Sequence, residues 1–431
     1  MLTVAYLANQ FPAAVEPYVG EEIQELRKHG VKIIPGSVRR PDEAQQELVD
    51  SPSGTEILCL QPLQMLTLLQ AVGLAVTRWQ RIADLLKRVL LTGTESPMRR
   101  LKALLHTWLG AYYAVRLQER GVDHIHVHHG YFGSWIAMVA ARLLGVDFSL
   151  TLHGSDLLVD GTYLDAKLKN CRLCFTISEY NRRYILEHFP GVDPGKIVVS
   201  RLGVDARVPS KSPGPVSRNE RRRLTLLAVG RLHAVKDHEF LIRACARLRD
   251  RELDFECLIA GDGPERQHLE SLIRENRLQD QLKLLGHVGR SHLDSLYRRA
   301  DVVVLTSRSE GIPLVLMEAL IRRRLVLAPA ITGIPEIVIP GKTGFLYKPG
   351  ALEDLVARIL FLDTQMRSED RYPVSRLDWV RHAAEAHVFH NFDRRKNLVH
   401  FADQFLQLIA TRDVTDQNWR PPHEDLVLQQ I

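Results

Sequence analysis

The run Asp301-Val302-Val303-Val304-Leu305-Thr306, followed by Ser309-Glu310-Gly311-Ile312-Pro313-Leu314, limits the fold more than any other stretch of the chain. The run is short, β-branched and uncharged after its first residue, which predicts a strand buried on both faces of a parallel sheet. Parallel neighbours need crossover helices, so the class is α/β. Pro313 suits the first turn of a helix, where its missing N–H costs nothing. Ser309 to Ile312 then form a strand-to-helix turn at the carboxyl edge of the sheet, where free N–H groups and a positive dipole end attract phosphate. Glu310 sits in that turn and Glu318 lies inside the helix. Glu310 alone could be dipole compensation, a bland reading that leaves the rest of the string unexplained.

The same alternation runs through the chain twice. In the first half, strands are expected at Leu2–Leu7, Val31–Ile34, His124–His128, Phe148–Leu152, Leu173–Ile177 and Ile197–Ser200. Helices are expected at Tyr18–Lys28, stopped by His29-Gly30, and at Phe132–Leu144, closed by Gly145, with a further one capped by Ser178. Residues 207–223 are polar, basic and carry three prolines, which reads as a linker. The second half restarts with strand Leu224–Val229, helix Asp237–Arg249, strand Phe255–Ala260 and helix Glu265–Asn276. The predicted division is a domain over 1–206, the linker 207–223, a domain over 224–375, helices over 376–410 and a tail over 411–431.

With 431 residues, 45% apolar and 25% charged, the chain can hold two ordinary globular domains. A formal charge of +6 and a pI near 9.0 favour anionic partners such as nucleotides or an acidic bilayer. The bases are interspersed with acids along most of the chain, which argues against nucleic acid. Met1 to Leu7 has no basic leader and reads as a first strand, so a cytoplasmic location is expected. Five cysteines without framework spacing suit a reducing compartment, and Cys171 and Cys174 read as buried thiols.

Two stretches leave alternatives open. Ile57 to Thr77 carries no charge but has Gln61, Gln64, Thr67 and Gln70 at helical spacing, and Trp79, Trp108 and seven cations from Arg78 to Lys102 follow. These segments either pack on the sheet or lie peripherally on an anionic membrane at its inner face. His124, His126 and His128 share one face of a strand, as core residues or as zinc ligands. With no cysteine placed near them in sequence, no metal is expected.

The string Ser309-Glu310-Gly311-Ile312-Pro313-Leu314, with Glu318 eight positions after Glu310, resembles the signature of group 1 (family 4) retaining glycosyltransferases. Similar landmarks are Gly230-Arg231-Leu232 with Lys236, His153-Gly154-Ser155-Asp156, Gly261-Asp262-Gly263, Thr332 to Glu336 and Gly341 to Leu346. The opening Phe11-Pro12 with Glu16 is similar to exopolysaccharide and colanic-acid-type members, although Val15 and Pro17-Tyr18 depart from their pattern. The resemblance implies two Rossmann-like domains facing a cleft, the GT-B fold, with the last helices returning to the first domain. It implies Glu310 and His153 as catalytic residues against the donor sugar. It implies a donor-binding set of Gly230, Arg231, Lys236, Val288, Gly311, Ile312, Pro313, Leu314 and Glu318, in which Arg231 and Lys236 face the diphosphate and Glu318 the ribose. Asp237 stands where the family carries glycine.

On that reading the chain moves a hexose from a nucleotide diphosphate sugar to a hydroxyl of a saccharide or lipid-linked saccharide acceptor, with no cofactor and no metal. The rivals are a nucleotide-sugar-binding scaffold without turnover, suggested by Asp237 and the altered first loop, and a sugar-nucleotide epimerase on the same fold.

Overall fold

The computed structural model describes residues 1–13, 16–40, 57–206, 223–369 and 375–410. All of the expected linker but Arg223, the expected tail over 411–431 and the Val15 position lie outside the described residues. The chain forms two α/β units, each built on one sheet with every strand pair parallel.

The first sheet contains β1 (Thr3–Gln10), β2 (Lys32–Arg39), β3 (Leu58–Cys59), β4 (His124–His128), β5 (Asp147–Leu152), β6 (Leu173–Thr176) and β7 (Ile197–Val199), in the order β3-β2-β1-β4-β5-β6-β7. The second contains β8 (Leu224–Val229), β9 (Phe255–Ala260), β10 (Leu282–Gly286), β11 (Val302–Val304), β12 (Leu325–Pro329) and β13 (Phe345–Tyr347), in the order β10-β9-β8-β11-β12-β13. Each order reverses once, between β1 and β4 and between β8 and β11. At such a reversal the connections leave in opposite directions and open a crevice at the carboxyl ends of the strands.

The run that limited the fold behaves as its composition requires: Val302, Val303 and Val304 are at most 1% exposed, with apolar layers on both faces. Pro313 is a correction. It stands at the N-cap of helix Leu314–Leu320, with extended backbone at φ −77° and ψ 110°, and not inside the first turn. The uncharged stretch from Ile57 is also divided. Leu58 and Cys59 pair with Gly36 and Ser37 as an edge strand, and the helix begins only at Met65, beyond Pro62, whose ring cannot continue a helix.

Helix Arg376–Asn391 packs on the second unit, where Ala384 and Val388 join its core. Helix Arg394–Ala410 lies against the first: Phe401, Phe405 and Ile409 share a core with Val4, Tyr6, Leu26 and Phe175. Between the two helices, Val204 and Asp393 form a parallel bridge that ties the end of the first unit to this return.

Candidate active site

The second unit's wall is built at its strand-order reversal. β8 runs into Gly230-Arg231 and β11 into Ser307–Gly311, so residues far apart in sequence leave neighbouring strand ends. Lys236, in the short turn Ala234–Lys236, places Nζ 2.6 Å from Glu310 Oε1. The Ser307 hydroxyl donates to the same oxygen at 2.6 Å, and Thr332 Oγ1 donates to the Glu310 carbonyl at 2.6 Å. The Glu310 side chain is thereby fixed and nearly buried, while Arg231 is exposed. Gly230 is held by the turn behind it, since a Cβ on Gly261 would stand 1.8 Å from the Gly230 carbonyl oxygen.

Asp237 has a backbone reason. Its φ is 50° and ψ 47°, the left-handed region that glycine adopts freely and that aspartate tolerates better than most side chains. Its carboxylate accepts from Arg308 Nε at 2.7 Å.

Gly311 lies where the two units touch. A Cβ there would stand 2.0 Å from the His153 carbonyl oxygen, and one on Gly154 would be 2.9 Å from Gly311 Cα. The Glu310-Gly311 and His153-Gly154 turns therefore meet backbone to backbone across the cleft. A second cross-cleft tie lies beside them: Glu336 accepts from the N–H groups of Glu179 and Tyr180, at 3.1 and 2.8 Å, at the start of the first-unit helix Glu179–His188. Ile312 and Pro313 are buried behind the turn. Leu314 lines a cavity between the units together with Tyr18, Glu21, Glu22, Arg201 and Arg394. Glu318 is half-buried on the helix, and the Tyr297 hydroxyl donates to it at 2.8 Å. Val288, half-buried, follows β10, which β9 and β8 separate from β11 and the Glu310 turn.

The first unit's wall is histidine-rich. Asp156 accepts from the backbone N–H groups of Gly130, His153 and Gly154 at 2.9, 3.0 and 2.8 Å, which stitches the turns after β4 and β5 together. Burial would raise its pKa, but His129 and these N–H donors hold the carboxyl well below the usual range. His129 is 2.9 Å from Glu16 and 3.6 Å from Asp156; burial opposes its charge, yet the two carboxylates raise its pKa to about 9. His153 moves the other way: burial, then the charges of His129 and His128, lower it well below 6.5, so it stands neutral at pH 7.

His153 also heads a buried chain of polar groups. Its Nε2 lies 2.9 Å from His128 Nδ1, and His128 Nε2 lies 3.0 Å from Glu22, which also accepts from the Tyr6 hydroxyl. The carboxylate calls for a proton on His128 Nε2, leaving Nδ1 to accept from His153. Tyr18 packs over His153, with ring centroids 4.7 Å apart. Sequence reasoning missed Glu22, His128 and Tyr18 as neighbours of His153; the period-2 pattern gave the face of His128 but not what lies opposite it.

Glu22, His126 and His128 bring ligand atoms within 4.8 Å of one another, so a carboxylate does approach the histidine strand. The donors are already committed, however. His126 engages the hydroxyls of Ser149 and Thr151 at 2.7 and 3.1 Å, and His128 is engaged on both nitrogens. In this structure the trio forms a hydrogen-bond network.

Set against known proteins, the chain matches the family model Glycosyltransferase Family 4 over residues 15–208 and the model Glycosyl transferases group 1 over residues 215–372. It is 35% identical to the alpha-D-kanosaminyltransferase of Streptomyces kanamyceticus, over 31% of this chain and 36% of that one. It is 32% identical to an Escherichia coli K12 protein assigned by name to colanic acid biosynthesis as the glycosyltransferase WcaL, over 46% of this chain and 48% of that one. The match thus spans about half or less of the length of these relatives. A solved structure of Anabaena Alr3699/HepE in complex with UDP superposes with a TM-score of 0.67 at 17% identity, covering 94% of this chain and all of that one, a likeness of fold. A glycosyltransferase from Rickettsia africae superposes at 0.68 with 18% identity, over 95% and 99% of the two chains. With two adjoining family models accounting for nearly all of both units, and the GT-B arrangement of two parallel-sheet domains beneath them, the chain belongs to the group 1 (family 4) glycosyltransferases and resembles their exopolysaccharide-type members.

Proposed function

We propose that this chain is a retaining hexosyltransferase of cell-surface polysaccharide synthesis. It takes a hexose from a nucleotide diphosphate sugar, without a metal, and places it on a hydroxyl of a lipid-linked saccharide at the inner face of the plasma membrane. The observation that carries this reading is the meeting of the His153-Gly154 and Glu310-Gly311 turns across the cleft, beside the Lys236–Glu310 pair. The Lys236 cation and the Glu310 carboxylate thus stand beside the turn that carries the neutral His153 imidazole.

In the transfer, the bond from the anomeric carbon to the diphosphate oxygen breaks and its electron pair stays on the phosphate. The acceptor oxygen bonds to the same face of the sugar and passes its proton to that phosphate. Lys236 and Arg231 offset the charge growing on the leaving group, as preorganised cations do. The Glu310 carboxylate supports the positive character of the sugar, and His153, neutral, hydrogen-bonds a sugar hydroxyl. Glu318 accepts from the ribose. Only one carboxylate against the sugar is needed, unlike the paired acids of glycosidases.

The neighbouring HepE structures hold UDP and UDP-glucose, so uridine donors come first in the test. The protein is incubated, with and without a chelator, with a panel of nucleotide sugars and lipid-linked saccharides, and products are read by mass spectrometry. Transfer that persists in the chelator supports the proposal. Isomerised donor would establish an epimerase, and binding without product a scaffold. Asp237, which raised the scaffold reading, is accounted for by its left-handed backbone.

A further inference from the structure

Helix Met65–Thr77 carries no charged residue, yet among its thirteen residues only Thr67 and Ala71 are buried. The opposite side shows Met65, Leu66, Leu69 and Val76 to solvent at 73, 70, 66 and 65% exposure. Met65, Leu69, Val72 and Val76 follow the i, i+4, i+7, i+11 line of one helical stripe, and Leu66 flanks it. Helix Pro97–Gln118 packs beside it and shows a second stripe, Met98, Leu101, Leu105 and Trp108, each between 46 and 61% exposed. Its other side is anchored: the Trp135 indole N–H donates to Thr107 at 2.9 Å, and Gly110 lies against Val139. A soluble surface rarely leaves two neighbouring stripes of large apolar side chains uncovered.

The charge of this insert selects its occupant. Between residues 60 and 118 eight lysines and arginines face two acids, a formal +6 that equals the net charge of the whole chain. Several of these cations work internally. Arg78 and Arg81 donate to the carbonyl oxygens of Leu143 and Arg142, Arg88 pairs with Glu95 at 2.7 Å, and Arg100 donates to the carbonyls of Val89 and Leu90. Lys87, Arg99 and Lys102 remain exposed. Trp79 stands 57% exposed between the two helices in sequence, an indole with an apolar body and one polar N–H, the kind of side chain that settles at headgroup depth.

We propose that this insert is a docking face for an anionic lipid bilayer, with the two apolar stripes entering the acyl boundary and Lys87, Arg99 and Lys102 meeting lipid phosphates. No helix among the described residues is long and apolar enough to cross a membrane, so the face lies in the interface plane. A second copy of the chain fits less well, because it would bring the same positive insert against itself, whereas an acidic bilayer neutralises it. The face also borders the cleft. Arg99 pairs with Asp160 at 3.5 Å, just past the His153–Asp156 turn, and His106 stacks on Phe132 with centroids 4.3 Å apart. Docking here brings that turn to the membrane surface. Use of the face to reach a lipid-linked acceptor rests on the proposed transfer; binding to lipid does not.

Co-sedimentation of the full chain with vesicles of phosphatidylcholine alone, and of phosphatidylcholine mixed with phosphatidylglycerol, reads this without any transfer assay. Pelleting is expected with the mixed vesicles, weakening as salt rises. Replacing Lys87, Arg99 and Lys102 with glutamine lowers the partition at least about tenfold. Leu66→Gln, Leu69→Gln and Val76→Gln together lower it by a similar factor on the same vesicles. All six side chains are exposed or form only surface contacts, so unchanged thermal melting is expected, and the lipid and salt dependence of the parent protein tests the idea even if a variant misfolds. Equal pelleting with both vesicles, pelleting with neither, or a dimer that the glutamine changes dissolve would overturn the proposal.

Discussion

Lys236 Nζ lies 2.6 Å from Glu310 Oε1, an ion pair between the turn after β8 and the turn after β11, and the Ser307 hydroxyl closes on the same oxygen. The pair has a consequence for the proposed reaction. A donor diphosphate brings two negative groups that compete for the Lys236 ammonium, and the carboxylate this releases is then directed at the sugar. Glu310→Gln should lower turnover by about 10² or more with nucleotide affinity little changed, the pattern of a contact made in the transition state. Lys236→Ala should weaken binding of the free nucleoside diphosphate by about tenfold, because it removes a charge-assisted partner. Turnover in Glu310→Gln equal to the parent's, read from initial rates, would remove this carboxylate from the reaction.

Glu318 has a different neighbour. Its carboxylate accepts from Tyr297, whose ring lies under the Arg322 guanidinium at 5.1 Å. Tyr297 therefore orients Glu318 from behind. Glu318→Ala is expected to raise the donor Kd by roughly tenfold while leaving the maximal rate nearly intact, and Tyr297→Phe to do the same more weakly, since it loses one orienting hydrogen bond of about 1 kcal/mol. Calorimetry with the nucleotide separates this from Glu310→Gln: a loss of rate without a loss of affinity in Glu318→Ala would contradict the ribose role.

These two residues also mark what the sequence could convey. The β-branched run before Glu310 and the glycines around it spell a buried strand and a tight turn, because those features depend on neighbours in the chain. Asp237 looked like a departure until its φ of 50° showed that the backbone, not the side chain, is what the position requires. The partners of His153 were hidden for another reason. Glu22 and His128 are separated by 106 residues, and strand periodicity tells which side a histidine faces but not which helix covers it. The arginines of the insert read as a basic surface, yet four of them fold back onto backbone carbonyls or Glu95, contacts that composition does not encode.

The backbone contact across the cleft gives a sharp test. A methyl group on Gly311 would fall 2.0 Å from the His153 carbonyl oxygen, and both sides of that contact are main chain, which cannot rotate away. Gly311→Ala should therefore push the two turns apart, cutting turnover by about 10² through misplacement of the reacting groups. The same methyl would stand 2.7 Å from Ile177 Cδ1, the end of a side chain that can turn aside, so each unit should keep its fold. Parent-like turnover in this variant would show that the two turns need not approach during catalysis. Loss of folding, read by circular dichroism, would mean that the contact also holds the units together.

His129 sets a pH dependence that can be read in stability. Its pKa rises from 6.5 to about 9 because the carboxylates of Glu16 and Asp156 outweigh its burial. A raised pKa means that the folded state holds this proton more tightly than the unfolded chain. The stabilisation is complete below pH 6.5 and is lost as pH rises toward 9, with a full size on the order of 3 kcal/mol. Lys167 titrates in the same region in the opposite sense: its ammonium, bonded to the carbonyls of Gly130, Tyr131 and Thr162, is lowered by burial to about 7, so it favours the folded state as pH rises above that value. The parent curve alone would mix the two. Comparison with His129→Gln isolates the histidine, because Lys167 is present in both proteins. The variant should be markedly less stable than the parent at pH 6, by urea midpoint, and the gap should narrow steadily up to pH 9. A gap that stays constant across that range would mean that His129 carries no extra proton in the folded protein, and that Glu16 and Asp156 are held by their other contacts.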